Sequence, residues 1–343
     1  MSGESRNKIH VPPEWAPHEA TWLQWPKGSE RRHEPVFAGI VAALSPTEQA
    51  RLIVSDEKTE QSARAAISAA GGNLQNVQFF RIPTDWCWCR DNGPLFAFDS
   101  QGLHVVDFGF SGWKYTKPFS NDDKVPRLVA SQLGLRVVSN PTVVEGGALE
   151  FNGAGTAIAS KPCLRHRNKG ATNERLEEVL REALGLQRIV WLENFEDGDM
   201  TRGHPDGIAW FVDSQTVVVG ETMEVNDPAR DVYEDAAARI RDAGFAVRRM
   251  PLPGRFCHVK KKVLANYLNW YIGNEVVLVG TFGQREWDDA ALAFVTELSE
   301  EFWGGRRVVG IEITELWYDG GGIHCVTQQQ PAQQQRFHVA QGK

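Results

Sequence analysis

The sequence predicts a mixed α/β fold made of five similar units closed into a ring. Three observations predict it. Segments with helical periodicity are each followed by a short β-branched run, polar glycine-rich clusters recur at a nearly constant interval, and no Pro/Ser-rich linker divides the chain.

The helix-then-strand units can be taken in order. SDEKTEQSARAAISAAGG (55–72) precedes VQFFRIP, and DDKVPRLVASQLG (122–134) precedes RVVS. Asn173 can cap a helix whose apolar positions Leu176, Val179, Leu180, Ala183 and Leu184 follow 3.6-residue spacing; Gly185 stops it and RIVWL (188–192) follows as a strand. Pro228 opens a helix through Ile240, followed by FAVRRMPL, and WDDAALAFVTELSEEFWGG (287–305) precedes RRVVGIEI. The polar clusters hold Asp91, Glu145, His204, Asn266 and Cys325, separated by 54, 59, 62 and 59 residues. A period of about 60 residues marks a stacked structural repeat, and in a ring the equivalent loops converge on one axis. Residues 1–343 therefore read as one domain in preference to two cut near residue 170.

Composition narrows the function. The chain has 343 residues, 42% hydrophobic and 24% charged, with no run near the roughly 18 consecutive apolar residues of a membrane span. The start, MSGESRNKIHVPPEW, has no apolar core of the secretory kind, so a cytoplasmic protein is expected. Cysteines 87, 89, 163, 257 and 325 form neither a disulfide framework nor a CxxC pair, and free thiols are expected. A formal charge of −7 argues against a nucleic-acid partner and suits a small cationic substrate.

Cys325 follows three glycines in DGGGIHCVTQQQP, where backbone can approach a ligand closely and a thiol can sit exposed at a strand end. It is the candidate nucleophile; a buried small hydrophobe is the competing reading. On a strand, His324 would face away from Cys325 and serve as a packing or hydrogen-bonding neighbour in preference to the catalytic base. His204 and Asp206, two apart in GDMTRGHPDG, share one face of an extended segment, which suits a proton-transfer histidine beside a carboxylate, a metal pair or a turn. In TDWCWCRDNGPLF, Asp91 ends a segment read as a strand carrying Trp86 and Trp88, with Cys87 and Cys89 as its packing residues. A carboxylate beside indole faces suits a guanidinium, through paired N–H bonds and cation–π attraction; a structural Arg90–Asp91 pair is the alternative.

Taken together, PPEWAPHEATWLQWP, W-x-RD-x-GP at 88–94, EGG at 145–147, NGAGT at 152–156, D-x-T-x-GH-x-D at 199–206, NYLNWYI at 266–272 and GGGIHC-x-TQQQP at 320–331 resemble the agmatine deiminase family of guanidine-modifying penteins, over nearly the whole chain. The resemblance implies a five-bladed α/β propeller of ββαβ-type modules, the pentein fold. It implies Cys325 as nucleophile, His204 as general acid and base, Asp91 and Asp206 as the carboxylates gripping the guanidinium, Glu145 as a supporting or substrate-binding group and Trp88 as part of the substrate wall. It implies no metal or organic cofactor, and a homodimer. The implied reaction converts agmatine to N-carbamoylputrescine and ammonia through a covalent amidino-Cys325, within polyamine metabolism.

The chain departs from the family pattern at Ala148, at Ser111 and around Trp86, positions in or beside motifs that line the pocket. These departures bear on the substrate's tail. An amidinotransferase or a deiminase of another small guanidine would use the same Cys–His–Asp site, and a silent binding protein would have no use for it. Residues 332–343 read as a polar tail without assigned function.

Overall fold

The computed structural model describes residues 9–258 and 261–333, so the expected polar tail lies outside the described residues from 334 onward. Five modules repeat one pattern. Two strands pair antiparallel, and the second pairs parallel with a third across a helix. The strands are Leu95–Asp99, Gly102–Gly109 and Arg136–Val143; Leu149–Phe151, Thr156–Ser160 and Arg188–Leu192; Ala209–Phe211, Thr216–Thr222 and Ala246–Leu252; and Tyr271–Ile272, Val276–Thr281 and Arg307–Glu312. The fifth module joins the two ends of the chain. Thr327–Pro331 pairs antiparallel with His18–Gln24, which pairs parallel with Gln49–Val54 and onward to Val77–Arg81. Last strand against first closes the propeller and leaves no open seam between the ends. A hairpin, Arg255–His258 with Lys261–Leu264, is an addition to the fourth module.

The crossover helices form where periodicity and caps agree. In Asn173–Leu184 the cap is Thr172, one residue before the expected Asn173: its Oγ1 accepts from the Arg175 amide at 3.2 Å, and the five apolar positions expected from the spacing are all buried. Burying each Leu or Val there contributes about 1.5–3 kcal/mol against the sheet. Gly185 ends the helix at φ 68°, and a Cβ at that position would fall 2.0 Å from the Ile9 carbonyl oxygen. A side chain at Gly185 would thus displace the N-terminal segment as well as strain the turn. Helices Glu57–Ala69, Val125–Leu133, Ala229–Asp242 and Arg285–Phe302 likewise occupy the segments read as helices, and each leads into its expected strand.

The loops that carry the polar clusters differ from expectation. Asp91, expected at a strand end, sits on a one-turn helix, Cys89–Asn92; Cys87 and Cys89 are core residues but lie on no strand. Asp206 sits on the 3-10 turn Pro205–Gly207 with His204 at its N-cap, and Cys325 on the one-turn helix Ile323–Val326. Each turn comes immediately before the first strand of a module. That shared position delivers all of them to one end of the ring, as the 60-residue period implies.

Candidate active site

Cys325 is the half-buried residue at the end of the Gly320–Gly322 run. Its Sγ lies 3.4 Å from Asp206 Oδ2 and 3.3 Å from Asn269 Nδ2. The glycines are needed for this approach. A Cβ on Gly321 would stand 2.5 Å from the Trp88 ring and 3.0 Å from Cys325 Sγ, and one on Gly322 would stand 2.5 Å from Asn269 Oδ1. Cys325, His204, Asp206 and Asn269 line one cavity of about 310 Å³, whose outer wall includes Glu196, Arg255 and Trp317.

His204 is buried at the cavity wall between carboxylates. Its Nδ1 lies 3.6 Å from Asp91 Oδ1, and its Nε2 donates to Glu145 Oε2 at 3.0 Å. Glu145 is in turn held by Arg167, through Nε to Oε1 at 2.6 Å and Nη2 to Oε2 at 3.0 Å. Asp91 accepts from the Trp113 indole at 2.8 Å and from the Gly147 amide at 3.2 Å. Trp113 rides a left-handed turn, with φ of 52°, 61° and 64° at Trp113, Lys114 and Tyr115. Each non-glycine residue in that region costs about 1–2 kcal/mol, so the turn is held in place by its contacts. Among them, Ser111 Oγ accepts from the Lys114 amide at 3.0 Å.

A second chain of charges runs from Asp206. His324 Nδ1 is hydrogen-bonded to Asp206 Oδ2 at 2.9 Å and its Nε2 to Glu14 Oε2 at 3.1 Å, and Arg90 Nη2 donates to the same Glu14 oxygen at 3.1 Å. Asn269 Oδ1 accepts from the His324 amide at 3.0 Å, which turns its Nδ2 toward the thiol.

These contacts set the proton affinities. Burial alone would lower the histidine, but the charge of Asp91 and the bonds to Cys163 and Glu145 hold His204 well above its ordinary value. Burial pushes Asp91 up to about 6, against the pull of His204. Burial would raise Asp206 too, yet His324 outweighs it and keeps that carboxyl below the usual carboxylate range. Burial, then Asp206 and Asp91, push the Cys325 thiol well above its ordinary value. In the free site Cys325 is therefore held as a thiol.

The structure brings Cys325, His204, Asp91 and Asp206 together. Glu145 lies behind His204, fully buried and off the cavity wall, and Trp88 packs against Gly321 beside Cys325. His324, read as a packing or hydrogen-bonding neighbour, bridges Asp206 and Glu14; its segment is helical and not the expected strand, so it does not face away from them. Asn266 donates to Gly207 O and Tyr233 Oη, and it is Asn269, three residues on, that reaches the thiol. Glu14, Arg167, Cys163 and Trp113 also went unread. Glu14 and the Asn269 position lie inside motifs already singled out, and a charged or amide residue inside an apolar motif was the available signal.

The departures have local partners. Ala148 is buried next to Gly147, and the Trp86 indole donates to Pro118 O with Lys117 Nζ 4.8 Å above its ring.

Comparison with known proteins bears on the same chain. The model of the Porphyromonas-type peptidyl-arginine deiminase family matches residues 10–331. An agmatine deiminase of Ectopseudomonas mendocina is 31% identical, the match covering 95% of this chain and 96% of that protein. One from Medicago truncatula is 28% identical over 94% of this chain and 96% of its own. An agmatine deiminase of C. jejuni, solved with substrate bound, shares the fold with a TM-score of 0.86 at 22% identity, covering 97% of this chain and 99% of that one. A full-length family match, a full-length relative and the five-module ring agree: the chain belongs to the agmatine deiminase family of the pentein superfamily, described by the Porphyromonas-type peptidyl-arginine deiminase model.

Proposed function

We propose that this protein hydrolyses the guanidinium of agmatine to N-carbamoylputrescine and ammonia, with Cys325 as nucleophile, His204 as acid and base, and Asp91 and Asp206 as the guanidinium grip. The observation that carries the reading is the shared cavity: a thiol, an acid-held histidine and Asp206 line one wall, with Asp91 directly behind the histidine at 3.6 Å. The relatives named agmatine deiminase support the choice of substrate.

A guanidinium carbon is a poor electrophile, so placing it against the sulfur does much of the work. The bound cation also changes the charge balance. Its positive charge offsets the carboxylates that hold the Cys325 proton, that proton passes to solvent, and the thiolate attacks the central carbon, forming the C–S bond as the C=N electron pair moves onto nitrogen. His204, protonated between Asp91 and Glu145, gives its proton to the departing nitrogen as the C–N bond breaks and ammonia leaves. The amidino-thioether is opened by water whose proton His204 accepts, the C–S bond breaks, and the ureido product leaves. Asn269 Nδ2 stands where it can stabilise the thiolate in both halves.

One catalytic unit over the whole chain, a homodimeric assembly and a cytoplasmic location belong to the same reading; among the described residues no helix is long and apolar enough to cross a membrane. The test is ammonia release with product mass analysis on agmatine, free arginine and a panel of small guanidines, with Cys325→Ser alongside. Cysteine-dependent conversion of agmatine to its ureido product is expected. Turnover of another guanidine alone would move the substrate, transfer to an added amine would make it an amidinotransferase, and no turnover would overturn the hydrolase.

A further inference from the structure

Cys163 is a buried nucleophile that the proposed reaction does not use. It sits in the first turn of the helix Lys161–Arg167, where its amide donates to Ser160 Oγ at 3.3 Å. The turn directs its sulfur at the far side of His204. Sγ lies 3.7 Å from His204 Nε2 and 3.4 Å from Glu145 Oε2, and those two atoms are 3.0 Å apart. Three different donor atoms thus form a compact triangle, with all three residues buried.

The triangle has the dimensions of a metal face. Zinc bonds of about 2.0–2.3 Å to N, O and S at tetrahedral angles put the ligand atoms about 3.4–3.6 Å apart, so each edge here is within about 0.4 Å of that value. The donor set of thiolate, imidazole and carboxylate selects a borderline-soft dication over magnesium or calcium, which take oxygen ligands. The surroundings fit as well. Asp91 lies on the other ring nitrogen of His204, the outer position that commonly orients a metal-bound imidazole. Arg167 Nε keeps Glu145 Oε1 at 2.6 Å, so its pairing survives the loan of Oε2. With the Cys163 and His204 protons lost to solvent, the Cys163 thiolate, Glu145 and Asp91 carry the three negative charges that balance the dication and the Arg167 guanidinium.

We propose that Glu145, Cys163 and His204 form a second, latent site for a divalent cation of the zinc class. On the proposed reaction, its occupation also inhibits turnover, because an imidazole committed to a metal through Nε2 loses the Glu145 contact and the proton it must donate. Binding tightens as pH rises, since both ligands must lose protons.

The test reads binding and needs no turnover, so it stands or falls separately from the substrate assignment. Cobalt(II) is titrated into the native protein and into Cys163→Ser, Cys163→Ala and Cys325→Ser, with circular dichroism confirming that each is folded. The expected result is a thiolate-to-cobalt charge-transfer band at one equivalent per chain in the native protein and Cys325→Ser, absent from both Cys163 variants. Zinc added afterwards should bleach it. A native protein with no band would overturn the site, as would a band that survives in either folded Cys163 variant. A band lost only in Cys325→Ser would place the metal on the nucleophile and overturn it equally.

Discussion

Two chains of buried charge approach the cavity, and they are built from the same parts in the same order. One runs Asp91, His204, Glu145, Arg167; the other runs Asp206, His324, Glu14, Arg90. They differ at the first link. Asp206 and His324 are hydrogen-bonded at 2.9 Å, whereas Asp91 and His204 stand 3.6 Å apart, with Asp91 bonded to Trp113 instead. Asp206 is accordingly held ionised, while Asp91 is pushed up to about 6 and His204 is left as a proton reservoir at the cavity wall. In the proposed reaction the same residue types serve as a fixed anchor on one side and a proton-transfer group on the other. A gap of less than an ångström separates the roles.

The sharpest way to break this comparison is to cut each chain at its histidine. His204→Asn removes both the acid and the base, and kcat should fall about 10⁴-fold, with guanidine binding retained by calorimetry. His324→Asn only loosens the anchor, for a loss of about 10²-fold from misplacement. Equal losses would mean that His324 also carries a proton.

The arginines come next. Arg167→Met removes both guanidinium bonds from the buried Glu145 carboxylate and leaves it the single nitrogen bond from His204, and the stability loss by urea unfolding should be about 3–5 kcal/mol. Arg90→Met should cost less, because Glu14 keeps His324 and the Ile272 amide as partners. The reverse order would show that the anchor chain, not the reacting one, holds the ring together.

How far the sequence could be read follows from what each part depends on. The crossover helices and their strands were legible because periodicity and caps are local, as Thr172 to Gly185 shows. The period of about 60 was legible because every site turn precedes its module's first strand. The turns themselves were not. A single helical turn such as Ile323–Val326 is too short to show a period, and its conformation is fixed by long-range bonds such as His324 N to Asn269 Oδ1. Arg167 behind Glu145 and Glu14 behind His324 were hidden for the same reason. Glu14 and Arg90 are 76 residues apart in sequence and meet only when the ring closes.

Asn269 sharpens the anchor side. Hydrogen bonds to charged groups contribute about 1.5–3 kcal/mol, so Asn269→Ala should lower kcat/KM about 10- to 100-fold. It should also move the pH dependence of Cys325 alkylation by iodoacetamide upward. In the native protein a bound guanidine should accelerate the pH-dependent step of alkylation relative to an inert cation of equal charge, if the substrate draws the proton from the sulfur. A profile unchanged by the substitution would leave Asn269 as a backbone brace alone.

The smallest expected effect tests the first link itself. The Trp113 N–H favours the charged form of Asp91, and Trp113→Phe keeps a ring to pack edge-on against Phe110, now 5.2 Å away, while removing that donor. Asp91 binds its proton more tightly folded than unfolded, so its contribution to stability is full below the ordinary aspartate value of 3.8 and is lost as pH rises through about 6. Guanidine binding needs the ionised form, so KM in the native protein should rise as pH falls through the same range. Without the indole donor the carboxyl climbs further, and the acid limb of KM should move to higher pH, with kcat at pH 8 within about threefold of native for an interaction of this size. A limb that stays in place would mean that the wider Asp91–His204 spacing, and not the Trp113 bond, sets the difference between the two chains.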